Sequence, residues 1–350
     1  MSTARAIRWS VTLALGAVLA CAFADEPAAP PAAQEQGAAE QSEIAPLAPK
    51  SLLLDAALAG TRIVLVGERG QVLLSDDQGA SWRQPATPTR SSLTAVFFVD
   101  ATHGWAVGHD EVILRSEDGG EHWERVHFRP EAEQPLLDVW FRDTDHGIAV
   151  GAYSSYYTSA DGGRTWQARP FAPIMPAARG AKPGSTDAGQ GDEEQYHLNG
   201  IAADSGGRLY LAAEAGHLYR SDDGGATWLT LKSPYAGSFF GVLPLDGAAV
   251  LAFGMRGHLF RSENSGGDWT EITTGVPAML TSAVRLPQHG VAISGLAGVL
   301  LVSRDGGHSF RVEQQADRKG MSAVLLVSGK LLTVGDGGVL LRPLTAAPGG

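Results

Sequence analysis

The chain has 350 residues, a formal net charge of −11, 44 glycines, 19 prolines and one cysteine. The negative charge argues against binding nucleic acid by neutralising phosphates, and a single cysteine excludes a disulfide scaffold within the chain. Because 44% of the residues are hydrophobic and glycine is abundant, the composition favours a turn-rich all-β fold with a buried core.

The first 24 residues are typical of a secretory signal peptide. Arg5 and Arg8 flank the start of a short apolar run at 9–19, and Ala22-Phe23-Ala24 supplies the small residues of a cleavage site. We therefore expect export to the periplasm with removal of residues 1–24. A poor lipoprotein motif ends at Cys21, so a lipid anchor on that cysteine is the weaker alternative.

Residues 25–42 are rich in Ala, Pro, Glu and Gln and show no apolar periodicity, which predicts a disordered spacer. The following residues, 43–345, are organised by a repeat of about 41 residues, and 346–350 are expected to form a short tail. One eight-residue motif, opening with Ser and closing with Trp or Phe, occurs six times, at 75–82, 116–123, 159–166, 221–228, 262–269 and 303–310.

Apolar runs separated by short turns accompany each copy of the motif, and a seventh set without the motif begins at Met321. Four short strands in about 41 residues are typical of one propeller blade. The sequence therefore predicts an all-β fold, a seven-bladed β-propeller spanning residues 43–345.

The last unit stops after its third predicted strand, near residue 344. We predict that residues 43–50 form an N-terminal strand that completes the last blade and hides its edge. Pro46 and Pro49 are acceptable in such a strand because the outer edge of a blade does not use every N–H group.

The repeated motif matches the Asp-box, also called the BNR repeat. Its Ser and Asp oxygens can accept turn N–H groups, its glycines allow positive φ, and its aromatic residue can pack between blades. We predict a structural role for the box residues Asp77, Trp82, Asp118, Trp123, Asp161, Trp166, Asp223, Trp228, Trp269 and Asp305. Since they recur once per blade and do not converge, no catalytic residue, metal site or cofactor is assigned to them.

One interval between boxes is 62 residues long, where the others are 41 or 43 residues. The difference is an insertion of about 20 residues at 170–195, rich in Pro and Gly and ending in acidic residues. Long loops of this kind are usually functional or disordered. We hypothesise that the insertion orders on a partner, with a tolerated insertion as the alternative.

The even spacing, the single box per unit and the strings GSFFGVLPLDGAAVLAFGMRGHLFRS and VGDGGVLL resemble the photosystem II stability/assembly factor-like family. The resemblance covers about residues 52–344. It implies an interaction scaffold and not an enzyme. Phototrophic members of the family assist assembly of a membrane complex, and similar exported proteins of other bacteria accompany transporters of the RND superfamily.

On this basis we expect an exported, monomeric assembly factor that binds and stabilises a membrane protein complex. The partner would be an RND-type exporter or, in a phototroph, a photosystem II assembly intermediate. The resemblance also implies an arginine patch on the propeller surface. Arg69 and Arg256 occupy matching turns and are predicted to contact the partner, together with Tyr153 and Tyr156; solvated turn residues are the alternative for both arginines.

Two other functions stay open. A sialidase-like glycoside hydrolase would share the box, but it needs three arginines, a Tyr with a Glu partner and a loop acid, and only Phe128-Arg129-Pro130 is faintly similar to that pattern. A propeller that binds a lipid or another small ligand would need an apolar pocket in its central channel, where small residues such as Ala95 and Gly200 are expected.

Overall fold

The computed structural model describes residues 40–175 and 195–344, which form seven antiparallel sheets. Within each sheet the strands follow one another in chain order, so every sheet is a meander and a blade of a β-propeller. The predicted seven-bladed all-β fold is confirmed. The expected signal peptide and tail, residues 25–39 of the spacer and residues 176–194 of the insertion lie outside the described residues.

Each blade begins with its innermost strand. The strands of blades 1 to 4 are β1 (Leu53–Ala59), β2 (Arg62–Gly67) and β3 (Val72–Ser75); β4 (Leu93–Phe98), β5 (Gly104–Gly108), β6 (Ile113–Ser116) and β7 (Glu124–His127); β8 (Leu136–Phe141), β9 (Gly147–Gly151), β10 (Tyr156–Ser159) and β11 (Gln167–Ala168); and β12 (Leu198–Ala203), β13 (Leu209–Ala213), β14 (Leu218–Ser221) and β15 (Leu229–Thr230). Those of blades 5 to 7 are β16 (Phe239–Pro244), β17 (Val250–Gly254), β18 (Leu259–Ser262) and β19 (Thr270–Glu271); β20 (Leu280–Leu286), β21 (Gly290–Gly295), β22 (Val299–Ser303) and β23 (Arg311–Gln314); and β24 (Met321–Val327), β25 (Lys330–Gly335) and β26 (Leu340–Pro343).

Helical structure in the described residues is limited to single 3₁₀ turns, which lie at Ala48–Lys50, Glu68–Gly70, His109–Glu111, Pro130–Ala132, Ala152–Ser154, Met255–Gly257 and Leu296–Gly298. Five of them form the connection between the second and third strands of a blade. No helix in the described part of the chain is long and apolar enough to cross a membrane.

The core is divided among the seven junctions between neighbouring blades. Each junction buries its own apolar cluster, such as Val64, Leu74 and Val96 between blades 1 and 2. In six junctions the aromatic residue of the following box packs into this cluster, for example Trp123 between blades 1 and 2. The box therefore fastens its blade to the preceding one, as its aromatic residue predicts.

The box hairpins are held by local hydrogen bonds. In box 4 the Ser221 hydroxyl accepts the Gly225 N–H at 2.8 Å and donates to Asp223 Oδ1 at 2.8 Å, while Asp223 also accepts the Thr227 N–H and hydroxyl at 2.9 and 2.6 Å. Hydrogen bonds donated by Ser81 and Ser75 lower the pKa of the equivalent Asp77 to about 2. These contacts support the structural role assigned to the boxes.

The innermost strand of every blade carries a β-bulge at its second residue. A bulge changes the direction in which a side chain points, and here the side chains at several bulges are polar and point toward the next blade. Three of them donate to the first carbonyl of the neighbouring innermost strand: Thr94 to Leu136 at 2.6 Å, Asn199 to Phe239 at 2.8 Å, and Thr281 to Met321 at 2.7 Å. Backbone groups that border the axis are thereby satisfied across blade junctions.

The prediction that residues 43–50 form a strand of the last blade is wrong. This segment contains the 3₁₀ turn Ala48–Lys50, and within the described residues blade 7 has three strands, β24, β25 and β26. The Pro49 carbonyl accepts the Val339 N–H at 2.9 Å. The same kind of bond occurs at the connection from blade 2 to blade 3, where the Gln134 carbonyl accepts the Glu111 N–H. Since Pro49 lacks an N–H and fits a turn, the segment acts as the connection from blade 7 to blade 1.

The described start of the insertion packs against the propeller. Ile174 lies in a parallel bridge with Leu229, accepting the Thr230 N–H at 2.9 Å and donating to the Trp228 carbonyl at 2.7 Å. The Phe171 ring contacts Trp228, with ring centroids 6.0 Å apart. Residues 171–174 thus extend blade 4 before the chain reaches the part of the insertion that lies outside the described residues.

Candidate interaction surface

The propeller has two faces that carry different loops. The box hairpins lie on one face together with the turns between first and second strands, as the bond from the Gly162 N–H to the Asp145 carbonyl shows. The other face, which we call the turn face, carries the turns between second and third strands and the connections between blades. Its exposed basic residues include Lys50, Arg69, Arg90, Arg129, Lys232, Arg256, Arg318 and Lys319.

The turns of this face share one backbone conformation. The residue at the apex has a left-handed φ, 55° at Arg69, 52° at Tyr153 and 57° at Arg256. The residue after the apex lies against the carbonyl of the connection to the next blade: a Cβ on Gly257 would be 1.8 Å from the Val276 oxygen. The apex side chain is therefore held away from the protein and presented to solvent.

Arg69 and Arg256 are both exposed at this apex position, as predicted. They belong to blades 1 and 5, however, and two blades separate them along the shorter way round the ring. The structure thus places the two arginines on the same face without bringing them together.

Around Arg256 the turn face is apolar as well as basic. Met255 and Leu296 precede the apex of blades 5 and 6 and are 39% and 40% exposed. The Leu296 side chain reaches Gly320, beside the exposed Arg318 and Lys319. We call Met255, Arg256, Leu296, Arg318 and Lys319 the turn patch. An exposed apolar and basic surface is suited to an acidic peptide that also carries apolar side chains.

Sequence analysis found Arg256 but missed the other members of the turn patch. Met255 and Leu296 occupy a position where the other blades have Glu68, His109, Ala152, Glu214 and Asp336. A large apolar residue at that aligned position was the available signal, because the other turns avoid it.

The two predicted tyrosines differ in accessibility. Tyr153 is 51% exposed at the apex of the blade 3 turn and makes an edge contact with His197 at 4.9 Å. Tyr156 is buried, donates to the Gly225 carbonyl at 2.8 Å and accepts the Trp228 Nε1–H at 3.2 Å. Its predicted role in partner contact is corrected to a core role, because it already belongs to β10 and faces box 4.

A tyrosine and a glutamate do meet at the turn face. The Tyr157 hydroxyl donates to Glu111 Oε2 at 2.9 Å, and Arg129 Nη1 lies 3.3 Å from the same hydroxyl. Burial and the Glu111 carboxylate raise the pKa of Tyr157, whereas His127, Tyr157 and Arg129 hold the pKa of Glu111 below its ordinary value against burial. Both Glu111 and Tyr157 are buried, and Arg129 is the arginine that joins them among the described residues, so the cluster links blades 2 and 3.

Within residues 40–175 and 195–344, no cluster of three or more His, Cys, Asp or Glu side chains is arranged to hold a metal ion.

Residues 74–134 and 129–275 match the family described as photosynthesis system II assembly factor YCF48. The matched region covers more than half of the chain. The chain belongs to this family. The resemblance expected from the boxes and turns is thereby confirmed.

Two curated relatives are similar over short stretches. Photosystem II stability/assembly factor HCF136 of Cyanidioschyzon merolae is 42% identical over 62 residues, which are 17% of this chain and 14% of that protein. Photosystem II assembly protein Ycf48 of a Synechococcus strain is 33% identical over 69 residues, 18% of this chain and 21% of that protein. The matches thus span only a small part of these relatives' own length.

Solved structures agree over the whole fold. A structure described as YCF48 bound to D1 peptide superposes with a TM-score of 0.64 at 19% identity, covering 88% of this chain and 97% of that one. At this identity the likeness establishes a common propeller fold.

Proposed function

We propose that the protein is an exported, non-enzymatic scaffold that binds and stabilises a membrane protein complex through its turn face. The observation that carries the proposal is membership of the YCF48 assembly-factor family. The exposed turn patch supports it, since Met255, Arg256 and Leu296 offer contact area that the fold itself does not use.

The form of the ligand is inferred from a relative. Because a YCF48 structure is described as bound to D1 peptide, we infer that this chain also recognises a peptide segment of its partner. The basic members of the turn patch, Arg256, Arg318 and Lys319, favour a segment with carboxylates. We propose an RND-type exporter as the partner, with a photosystem II intermediate as the partner if the source is phototrophic.

The predicted signal peptide supports action outside the cytoplasm, in the periplasm, where the scaffold would meet the exported parts of a membrane protein. The absence of catalysis is part of the proposal. Its support is the burial of the Tyr157–Glu111 pair, which denies a sugar substrate the nucleophile that a sialidase-like mechanism requires.

Affinity purification of the tagged protein from its native membrane, followed by mass spectrometry, tests the proposal. The expected result is recovery of one integral membrane protein in near-stoichiometric amount. The double variant R256E/L296D should recover it at least about tenfold less, a loss of about 1.4 kcal/mol. Recovery of no membrane protein in several mild detergents would overturn the proposed function.

A control for the arginine-to-glutamate reversal is R142E, because Arg142 is also exposed but lies on the box face, paired with Asp143. This variant should recover the partner as the unmodified protein does. Equal recovery by R256E/L296D would instead show that the partner binds elsewhere on the propeller.

A further inference from the structure

Blade 7 lacks the part that fastens every other blade to its predecessor. It has no box and ends at β26, so nothing equivalent to the box aromatic enters the junction between blades 6 and 7. That junction is the only one of the seven whose described apolar cluster contains no aromatic ring; it consists of small and aliphatic side chains such as Ala292, Leu300 and Leu331. An aromatic side chain normally buries 150–250 Å², so the junction is underfilled relative to the others.

A groove of about 420 Å³ opens at this junction. Its apolar lining includes Leu286 and Val302 of blade 6 and Leu331 and Leu344 of blade 7. In the corresponding groove between blades 3 and 4, one wall is the box segment 224–226. The groove at blade 7 therefore lies where a seventh box and fourth strand would begin.

The outer edge of blade 7 is a strand without a neighbour in the described residues. β26 pairs with β25 on one side only, and Leu340 on it is 47% exposed. Exposed strand edges are templates for pairing with another chain unless they are blunted. Pro343 limits pairing at the end of β26 and leaves residues 340–342 available.

Arg342 lies on this edge and gives the groove a charge. Its Nε and Nη2 atoms are buried and have no hydrogen-bond partner among the described residues, and Nη1 is 3.7 Å from the Glu313 carboxylate. Burial lowers the pKa of the Arg342 guanidinium. Nε and Nη2 form the side of a guanidinium that binds a carboxylate through two parallel hydrogen bonds. The Glu313 carboxylate lines the same groove but leaves Nε and Nη2 of Arg342 without an acceptor, and the junction lacks the aromatic side chain of a box.

Three segments outside the described residues do not supply the apolar side chain. Residues 25–39, 176–194 and 345–350 contain no Val, Ile, Leu, Met, Phe, Tyr or Trp. These segments therefore cannot provide a side chain equivalent to the box aromatic residue of the other junctions. Because residues 1–24 are predicted to be removed on export, we assign the complementary segment to another protein.

We propose that the edge of blade 7 is a docking site for an extended segment of a partner protein. The segment pairs with β26 as a fourth strand, inserts a large apolar side chain into the groove, and places an Asp or Glu carboxylate on Nε and Nη2 of Arg342. Because alternate residues of a strand share a face, the apolar residue and the carboxylate are two positions apart. This site is on the box-face side of the propeller and is independent of the turn patch.

The chain itself contains a suitable probe. The sequence of residues 262–274, SENSGGDWTEITT, has Trp269 and Glu271 two positions apart in the box and fourth strand of blade 5. A labelled synthetic peptide of this sequence is titrated against the chain from residue 25 to residue 350. Fluorescence anisotropy measures affinity and hydrogen exchange reports protection of residues 340–342.

The expected result is saturable binding with protection of β26. The R342Q variant should bind at least about tenfold more weakly. A peptide with Gln in place of the glutamate that corresponds to Glu271 should bind the unmodified protein and R342Q with equal affinity, which isolates the carboxylate–guanidinium contact. The R256E variant should bind the peptide as the unmodified protein does, because Arg256 lies in the turn patch. The outcome at the edge of blade 7 is therefore independent of the outcome for the proposed function.

No binding, binding without protection of β26, or equal binding by R342Q overturns the proposal. A dimer of the chain that R342Q dissociates would assign the edge to a second copy and overturn it as well. If R342Q does not fold, a fusion protein provides the test. In it the 13 residues of the peptide are joined directly after Leu344, and this should raise the thermal unfolding midpoint by at least about 2 °C and block binding of the free peptide. An unchanged midpoint would count against the site.

Discussion

Asp138 on the innermost strand of blade 3 accepts the main-chain N–H of Ile201 on blade 4 through its Oδ2, at 2.8 Å. Its Oδ1 accepts the N–H of Val139 at 2.8 Å. Asp55 makes the same contact between blades 1 and 2, where its carboxylate accepts the Val96 N–H at 2.8 Å. Burial raises the pKa of Asp138 to about 7 and that of Asp55 to about 6, and the charge of Asp55 contributes to the shift of Asp138.

Asp138 should make the protein less stable as the pH rises. Because its folded pKa lies above the unfolded value of 3.8, the folded state binds more protons between about pH 4 and pH 7, and the free energy of unfolding falls across that window. The D138N variant, neutral at every pH, should lose up to about 4 kcal/mol less stability than the parent between pH 4 and pH 8, whatever the cost of replacing one of the two acceptor oxygens by an NH2 group. Urea unfolding at both pH values measures this.

The control for this prediction is D143N on the box face. Asp143 accepts the N–H groups of Asp145 and His146, and these bonds, with the His146 side chain, lower its pKa despite partial burial. Its contribution has the opposite sign, so D143N should be less stable than the parent at pH 8. Identical pH profiles for the parent and D138N would contradict the role given to Asp138.

Box 5 uses a different pair of residues from the other boxes. Asn264 Nδ2 donates to Asp268 Oδ2 at 3.2 Å, where box 3 has the Thr165 hydroxyl donating to Asp161 at 2.6 Å. N264D should therefore destabilise the protein by about 1 kcal/mol at pH 7, since two carboxylates would face each other. The double variant N264D/D268T should regain the loss. Thermal unfolding of the single and double variants checks this, and a fully stable N264D would refute it.

Tyr156 and Tyr153 should respond differently to loss of their hydroxyl groups. Y156F removes the partner of the Gly225 carbonyl and of Trp228 Nε1, both buried, and should cost about 1–3 kcal/mol. Y153F changes an exposed side chain and should stay within about 0.5 kcal/mol of the parent. Chemical denaturation of both variants is the measurement; equal effects would place Tyr156 outside the core.

Two glycines with similar positive φ separate backbone strain from close packing. Gly247 has φ 67° and nothing within 4 Å of an added Cβ, so G247A should cost only the strain, about 1–2 kcal/mol. Gly257 has φ 74°, and its added Cβ would be 1.8 Å from the Val276 oxygen. G257A should cost more than about 3 kcal/mol and displace Arg256 from the turn patch. Similar unfolding midpoints for the two variants would exclude the close approach.

The repeat predicted the blades and the boxes because both are local: Ser221, Asp223 and Trp228 carry their hydrogen bonds and packing within one short segment or onto the next blade. The contacts of Asp138 escaped prediction, since the bulge at Leu137 changes the alternation on which strand patterns depend. Tyr156 was misplaced because the boundary between turn and strand falls at Ser155. Ring closure by residues 43–50 depended on long-range geometry that a sequence pattern does not encode.

Blades 1 and 7 meet through apolar side chains such as Leu53, Leu65 and Leu332, and through the bond between Pro49 and Val339, with no strand exchanged between them in the described residues. Under tension applied to the two ends of the propeller, this seam would separate one contact after another, because no ladder of hydrogen bonds spans it to be loaded in shear. Unfolding by force should then start at this seam and proceed blade by blade. Apolar packing therefore closes the ring at equilibrium, but the seam should resist a pulling force poorly.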